Sequence, residues 1–240
     1  MCQLVNPMTD LDYGAFEAIT FDCYGTLIDW ETGLLAGLRA GLTGRAADAA
    51  DEEILERYAA AEASLEQGPY LTYREILGRG LVAVAASFGA QATPAEIQEF
   101  GGSVADWPPF PDSAAALKRL KGRFRLGVLT NCDDDLFAAS NRRLDVEFDW
   151  VVTAQQARGY KPRIANFELL FERVGLPRER ILHVAQSLFH DHVPAKSLGL
   201  TTVWIDRRHD RAGSGATPPA DATPDARFVD MASFAAAATA

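Results

Sequence analysis

The chain has 240 residues, 48% of them apolar and 23% charged, with a formal net charge of −10. That balance is ordinary for a globular protein and excludes disorder as the default, and the length fits one large domain or a core carrying a smaller insertion. No Lys/Arg-rich block suggests a nucleic-acid surface, and no run approaches the roughly 20 apolar residues that a membrane span needs.

The first fifteen residues lack the basic and apolar regions of a signal peptide. Cys2, Cys23 and Cys132 fit neither a zinc site nor a disulfide framework, so a reducing, cytoplasmic location is expected. Ala18-Ile-Thr-Phe21 is a short β-rich apolar run ending abruptly in Asp22-Cys-Tyr-Gly-Thr26, which reads as a buried strand opening into a loop. From about Glu31 to Asp106 the signal is helical, clearest over Glu53 to Gln67, Tyr73 to Phe88 and Thr93 to Phe100. Thr93-Pro94 supplies the last of these with a cap and first residue.

Beyond Trp107-Pro-Pro-Phe-Pro111 the pattern alternates. Strands are expected at Leu126 to Leu129, Trp150 to Thr153, Ile181 to Ala185 and Thr201 to Ile205, with a weaker one at Phe228-Val229. Helices are expected over Ser113 to Leu120, Asp134 to Arg143, Ile164 to Val174 and Val193 to Leu198. Residues 212–225 read as a Gly/Pro/Ala-rich loop, and the last residues as a frayed helix. The fold class that follows is α/β, a doubly wound, Rossmann-like parallel sheet. Residues 1–30 and 107–240 are expected to form the core, and residues 31–106 a helical cap inserted after the first strand.

Ligands of such sheets collect at the carboxyl ends of strands. Asp22 follows the first strand, Thr130-Asn131 the second, and Gln186-Ser-Leu-Phe-His190-Asp191 the fourth, while Lys161-Pro162 precedes a helix. A carboxylate nucleophile must be ionised and aimed, and an ammonium such as Lys161 does both. Thr130, Asn131 and adjacent backbone N–H groups suit an anionic substrate group. Taken singly each residue has a plainer reading, as a turn former, a cap or a solvated charge; their joint placement favours chemistry. Cys23 and Cys132 flank these stations without an activating His and read as small core residues.

Phe-Asp22-Cys-Tyr24-Gly25-Thr26-Leu, Thr130-Asn131, Lys161-Pro162 and Asp191, in this order, resemble the four motifs of the haloacid dehalogenase superfamily over about residues 16–206. The commonest activity there is magnesium-dependent phosphatase, with an acid two residues after the nucleophile to protonate an alkoxide. Tyr24 stands at that place and Gln186 where such phosphatases commonly have Asp. A halide leaving group needs no proton. The Asp-x-Tyr-Gly-Thr-Leu form with Thr-Asn and Lys-Pro is similar to the 2-haloacid dehalogenases.

That resemblance implies metal-independent hydrolysis of short 2-haloacids to 2-hydroxy acids through an ester on Asp22; fluoroacetate is an open candidate among those substrates. It assigns Asp22, Lys161, Asp191 and the lid residue Arg57 to catalysis, and Tyr24, Thr26, Thr130, Asn131 and Arg57 to a small anionic substrate. Gln186 and His190 are candidate helpers, and Tyr70 and Tyr73 candidate lid linings. The chain departs from those enzymes at Gln186, Leu188 and Phe167, where they carry Ser, Asn and Tyr. The resemblance also implies a homodimer. The alternatives are a Mg²⁺ phosphatase for a small metabolite, with Asp22 and Asp191 as ligands, and a non-catalytic anion-binding relative.

Overall fold

The computed structural model describes residues 11–42, 44–46, 48–210 and 217–240. Cys2 and the 212–216 part of the expected loop lie outside them. Six strands form one parallel sheet in the order β3-β2-β1-β4-β5-β6, with β1 Ala18–Phe21, β2 Arg125–Thr130, β3 Trp150–Thr153, β4 Ile181–Ala185, β5 Thr201–Ile205 and β6 Ala226–Phe228. Strand β1 is buried along its whole length, as is β4. Both are therefore continuous apolar runs rather than alternating ones, as expected for strands covered on both faces. Because β1 pairs with β2 on one side and β4 on the other, the chain winds outward in both directions from it, and the crevice opens at its carboxyl end.

Between β1 and β2 the chain forms α1 Trp30–Leu42, α2 Asp51–Gln67, α3 Tyr73–Ser87 and α4 Pro94–Gly102, followed by α5 Ser113–Lys121. Capping boxes open α3 and α4: Thr72 with Glu75, and Thr93 with Glu96. Each box satisfies two N–H groups that would otherwise lack partners. The two crossings between sheet and insertion run side by side, Asp29 N–H donating to Pro108 O at 2.8 Å and Phe110 N–H to Leu27 O at 3.1 Å.

Helix α1 carries Gly33, Gly37 and Gly41 at four-residue spacing, along one face. A Cβ at these positions would lie 2.3 Å from Trp107, 2.8 Å from Phe100 and 2.8 Å from Leu81. The glycines thus let α1 settle against its neighbours at a distance no larger residue permits. The remaining helices are α6 Asp134–Leu144, α7 Ala154–Ala157, α8 Ile164–Val174, α9 Val193–Ser197 and α10 Met231–Ala238. A π-helical turn, Leu188–His192, precedes α9. The expected Phe228-Val229 strand lies two residues earlier, at β6, and the terminal segment is a helix with Met231, Phe234, Ala235 and Ala238 buried rather than a frayed one.

Candidate active site

Asp22 follows β1 directly, and its backbone N–H donates to Val184 O of β4 at 3.1 Å. The chain then turns sharply: Gly25 has φ +92°, a conformation open mainly to glycine, and a Cβ there would meet Gln186 Oε1 at 3.2 Å. The turn brings the Thr26 hydroxyl back to donate to Asp22 Oδ2 at 2.7 Å, while Thr26 Oγ1 accepts from Gln186 N–H at 2.9 Å.

Lys161 is 1% exposed, and its ammonium donates to Asp22 Oδ1 at 2.8 Å, Asp191 Oδ1 at 2.7 Å and Leu129 O at 2.9 Å. These three bonds use all three donors of the ammonium. Burial raises Asp22 above the usual carboxylate value, opposed by Lys161 and Thr26. Burial acts the same way on Asp191, but there Lys161 and His183 outweigh it and the carboxyl lies well below its ordinary value. Burial would lower Lys161, and the two carboxylates reverse that. One ammonium shared by two buried carboxylates is stable only with such complete hydrogen bonding.

Asn131 fixes the Lys161 backbone from both sides, its Nδ2 donating to Lys161 O at 3.1 Å and its Oδ1 accepting from Lys161 N–H at 2.7 Å. The Lys161-Pro162 peptide is cis. Asp22, Tyr24, Asn131, Lys161, Gln186, His190 and Asp191 all line one cavity of about 50 Å³. Burial lowers His190 to about 4, so its ring is neutral at pH 7, with Nδ1 3.1 Å from Ser187 Oγ.

Several expected residues lie elsewhere. Arg57 is not brought to the cavity: its guanidinium, 37% exposed, pairs with Glu53 at 2.6 Å and covers the Phe88 ring at 4.4 Å. Helical geometry explains this, since the inward face of α2 is set by Tyr58, Glu62 and Glu66 at four-residue steps, and Arg57 precedes them by 100°. Thr130 is fully buried, lies off the cavity wall, and its hydroxyl has no partner. Thr26 likewise touches the nucleophile rather than lining the cavity. Tyr24 lines it, but its hydroxyl turns away to Ser140 Oγ at 3.0 Å. Leu188 faces a neighbouring hollow beside Trp204 and Asp206. Tyr73 lines the cavity, whereas Tyr70 stacks on Tyr160. Cys23 and Cys132 are buried and burial raises both thiols, which stay protonated.

Four residues unassigned by the sequence reading belong to the site. His183, fully buried in β4, places Nε2 3.0 Å from Asp191 Oδ1 and Nδ1 2.9 Å from Thr20 Oγ1. Phe167 packs edge-on against its ring at 5.4 Å. Phe167 has no hydroxyl to offer, and His183 is the polar neighbour that Asp191 has instead. The signal was a histidine within an apolar strand, a polar group that burial obliges to find a partner. Trp30 at the start of α1 and Glu62 and Glu66 in α2 line the cavity opposite the strand ends; the spacing of Tyr58, Glu62 and Glu66 on one helical face was the readable sign.

A magnesium ion fits these residues poorly. The Asp22 and Asp191 carboxylates are both turned onto Lys161 Nζ, Gln186 offers an amide in place of a third carboxylate, and no group of three potential ligands occurs among the described residues. A hard divalent cation would need several more oxygen donors.

A family model described as haloacid dehalogenase-like hydrolase matches residues 16–188. Haloacetate dehalogenase H-2 of Moraxella sp. (strain B) is 27% identical over 194 residues, covering 80% of this chain and 86% of that protein. An (S)-2-haloacid dehalogenase of Pseudomonas putida is 29% identical over 120 residues, 48% of this chain and half of that protein. The solved structure of an L-2-haloacid dehalogenase superposes with a TM-score of 0.79 over 94% of this chain and 100% of that one, at 21% identity, a likeness of fold.

Proposed function

The chain belongs to the haloacid dehalogenase-like hydrolase family, and from that premise we propose that it hydrolyses the carbon–halogen bond of short 2-haloacids, fluoroacetate included, without a metal. The observation that carries the reading is the Lys161 ammonium, saturated by Asp22, Asp191 and Leu129 O at the carboxyl end of β1. It holds Asp22 charged and aimed at the cavity. An Asp22 oxygen attacks C2 from the side opposite the halogen, the carbon–halogen bond breaks, and halide departs with the bonding pair. The product is an ester on Asp22 with C2 inverted.

Water then attacks the ester carbonyl. Asp191 Oδ1 is occupied by Lys161 and His183, while Oδ2 is buried without a partner among the described residues; Oδ2 is the oxygen that accepts from this water. As water adds, its proton passes to Asp191 Oδ2; collapse of the tetrahedral intermediate breaks the bond to the substrate oxygen, which takes that proton and leaves as the 2-hydroxy acid, and the new Asp22 carboxyl then ionises. Residues 31–106 act as the cap that closes the cavity from water, and core residues 1–30 and 107–240 supply the reacting groups. The family resemblance further supports a homodimer, and the unpaired buried cysteines support a reducing, cytoplasmic location.

Two residues after Asp22, where a phosphatase of this superfamily carries its general acid, stands Tyr24, whose hydroxyl is engaged with Ser140, which favours halide over phosphate ester chemistry. The test is halide release from chloroacetate, L-2-chloropropionate and fluoroacetate in EDTA, beside p-nitrophenyl phosphate hydrolysis with Mg²⁺. Halide without metal is expected. Phosphate release alone would overturn the reading.

A further inference from the structure

A haloacid carries a carboxylate, yet among the described residues no cation lining the cavity is free to receive it. Lys161 spends its three donors on Asp22, Asp191 and Leu129 O, and Arg57 points to the outer surface. Helices α1 and α2 instead present an indole and two carboxyl groups. Glu62 is 8% exposed and accepts at Oε1 from the hydroxyls of Tyr58 and Tyr73, each at 3.1 Å. Two donors on one oxygen leave Oε2 as the place for a proton. Trp30 is also 8% exposed, lines the same cavity, and its Nε1–H has no acceptor among the described residues. A buried N–H without a partner in a cavity wall calls for an acceptor from the ligand.

We propose that the substrate carboxylate is received by protonated Glu62 and the Trp30 indole N–H, so that the anion enters this cavity together with one proton. The proposal rests on the haloacid reading and names the group that recognises the acid end. A neutral carboxyl and an indole N–H here do the work of a guanidinium: both are donors, and neither brings the desolvation burden of a buried cation.

The groups facing Glu62 agree with this. Glu66 lies one turn on in α2, with Tyr58 before it and Tyr73 opposite on α3; across the cavity stand Asp22, Lys161, His190 and Asp191. The single cation among them is neutralised by two carboxylates. Burial therefore dominates Glu62 and brings it to about 7, and burial and the Glu62 charge raise Glu66 well above its usual value. An arriving carboxylate pushes Glu62 further up, and the anion and the proton bind as a linked pair.

Acetate, which carries the acid end without a leaving group, is the probe. Calorimetric titration of the full-length protein from pH 6 to 9, in buffers of differing ionisation enthalpy, reads affinity and proton uptake together. The wild type should take up one proton per acetate above pH 7 and lose about tenfold in affinity per pH unit. Glu62→Gln keeps a neutral donor, so its acetate affinity should be flat with pH and its proton uptake nil, while Asp22→Asn should leave the uptake in place. Trp30→Phe should weaken acetate about tenfold at every pH. Uptake that persists in Glu62→Gln, an acetate affinity in the wild type that is level from pH 6 to 9, or no acetate binding at all would overturn the proposal. Acetate bound with a proton beside a complete lack of halide release would uphold the receptor and sink the dehalogenase reading instead.

Discussion

At the scale of single residues, the site depends on how three side chains share one ammonium. Removing Lys161 leaves Asp22 and Asp191 as buried like charges with nothing between them. Lys161→Met should lower stability by about 3–5 kcal/mol, the cost of breaking a buried pair, read as a fall in the thermal midpoint, and should abolish turnover. An unchanged melting curve would contradict the shared-ammonium picture. His183 acts one step away, on Asp191. His183→Phe should leave the burst of halide intact and slow ester hydrolysis, so that the Asp22 ester accumulates and is seen by intact mass; His183→Gln, which keeps a donor, should restore part of the rate. Equal slowing of both steps would assign His183 to packing alone. Much of this was legible beforehand: Asp22 and Asn131, each directly after a strand, converge on the cavity with Lys161 from the loop before α8 and Asp191 from the turn after β4. Arg57 did not, because a match in sequence spacing does not fix a helical face. One position separates the outward Arg57 from the inward Tyr58.

At the scale of elements, the strands Trp150–Thr153, Ile181–Ala185 and Thr201–Ile205 agree residue for residue with their apolar runs. Continuous β-branched and aromatic runs bounded by polar loops leave little freedom in where a buried strand ends. Helix α1 escaped the same reading. Its glycines at 33, 37 and 41 lower helix propensity by roughly 1 kcal/mol each relative to alanine, so its local signal is weak. They are there for contacts with Trp107, Phe100 and Leu81, which no local pattern reports. Gly33→Ala raises propensity but drives a methyl into Trp107. We expect a net loss of about 1–3 kcal/mol from overpacking, measured by denaturant unfolding; a gain in stability would show that the contact relaxes freely. The π-helical turn over Leu188–His192 is also invisible to a 3.6-residue period, and it sets where His190 and Asp191 face.

At the scale of the whole molecule, stability should bear the mark of carboxyl groups shifted in opposite directions. Asp191 lies below its ordinary value in the fold, so its contribution is full above the unfolded value and is lost as pH falls through the folded one. Glu62, brought to about 7, and Asp22, also raised, contribute stability that is full below their unfolded values and is lost as pH rises toward their folded ones. The two signs together predict greatest stability near the unfolded carboxyl range, at about pH 4, with a decline toward pH 7 that Glu62→Gln should reduce. A stability maximum at or above pH 7, unmoved by that substitution, would contradict the burial of these groups as charges. The net charge of −10 adds self-repulsion above that range and points the same way.

A single turnover in ¹⁸O-labelled water distinguishes a covalent ester on Asp22 from direct attack of water on the substrate. With enzyme in excess over chloroacetate and EDTA present, the hydroxyl oxygen of glycolate should come from Asp22 and carry no label, while the ¹⁸O appears in the peptide containing Asp22. Label in the glycolate hydroxyl, with Asp22 unlabelled, would mean that water attacks the substrate directly and that Asp22 is not the nucleophile.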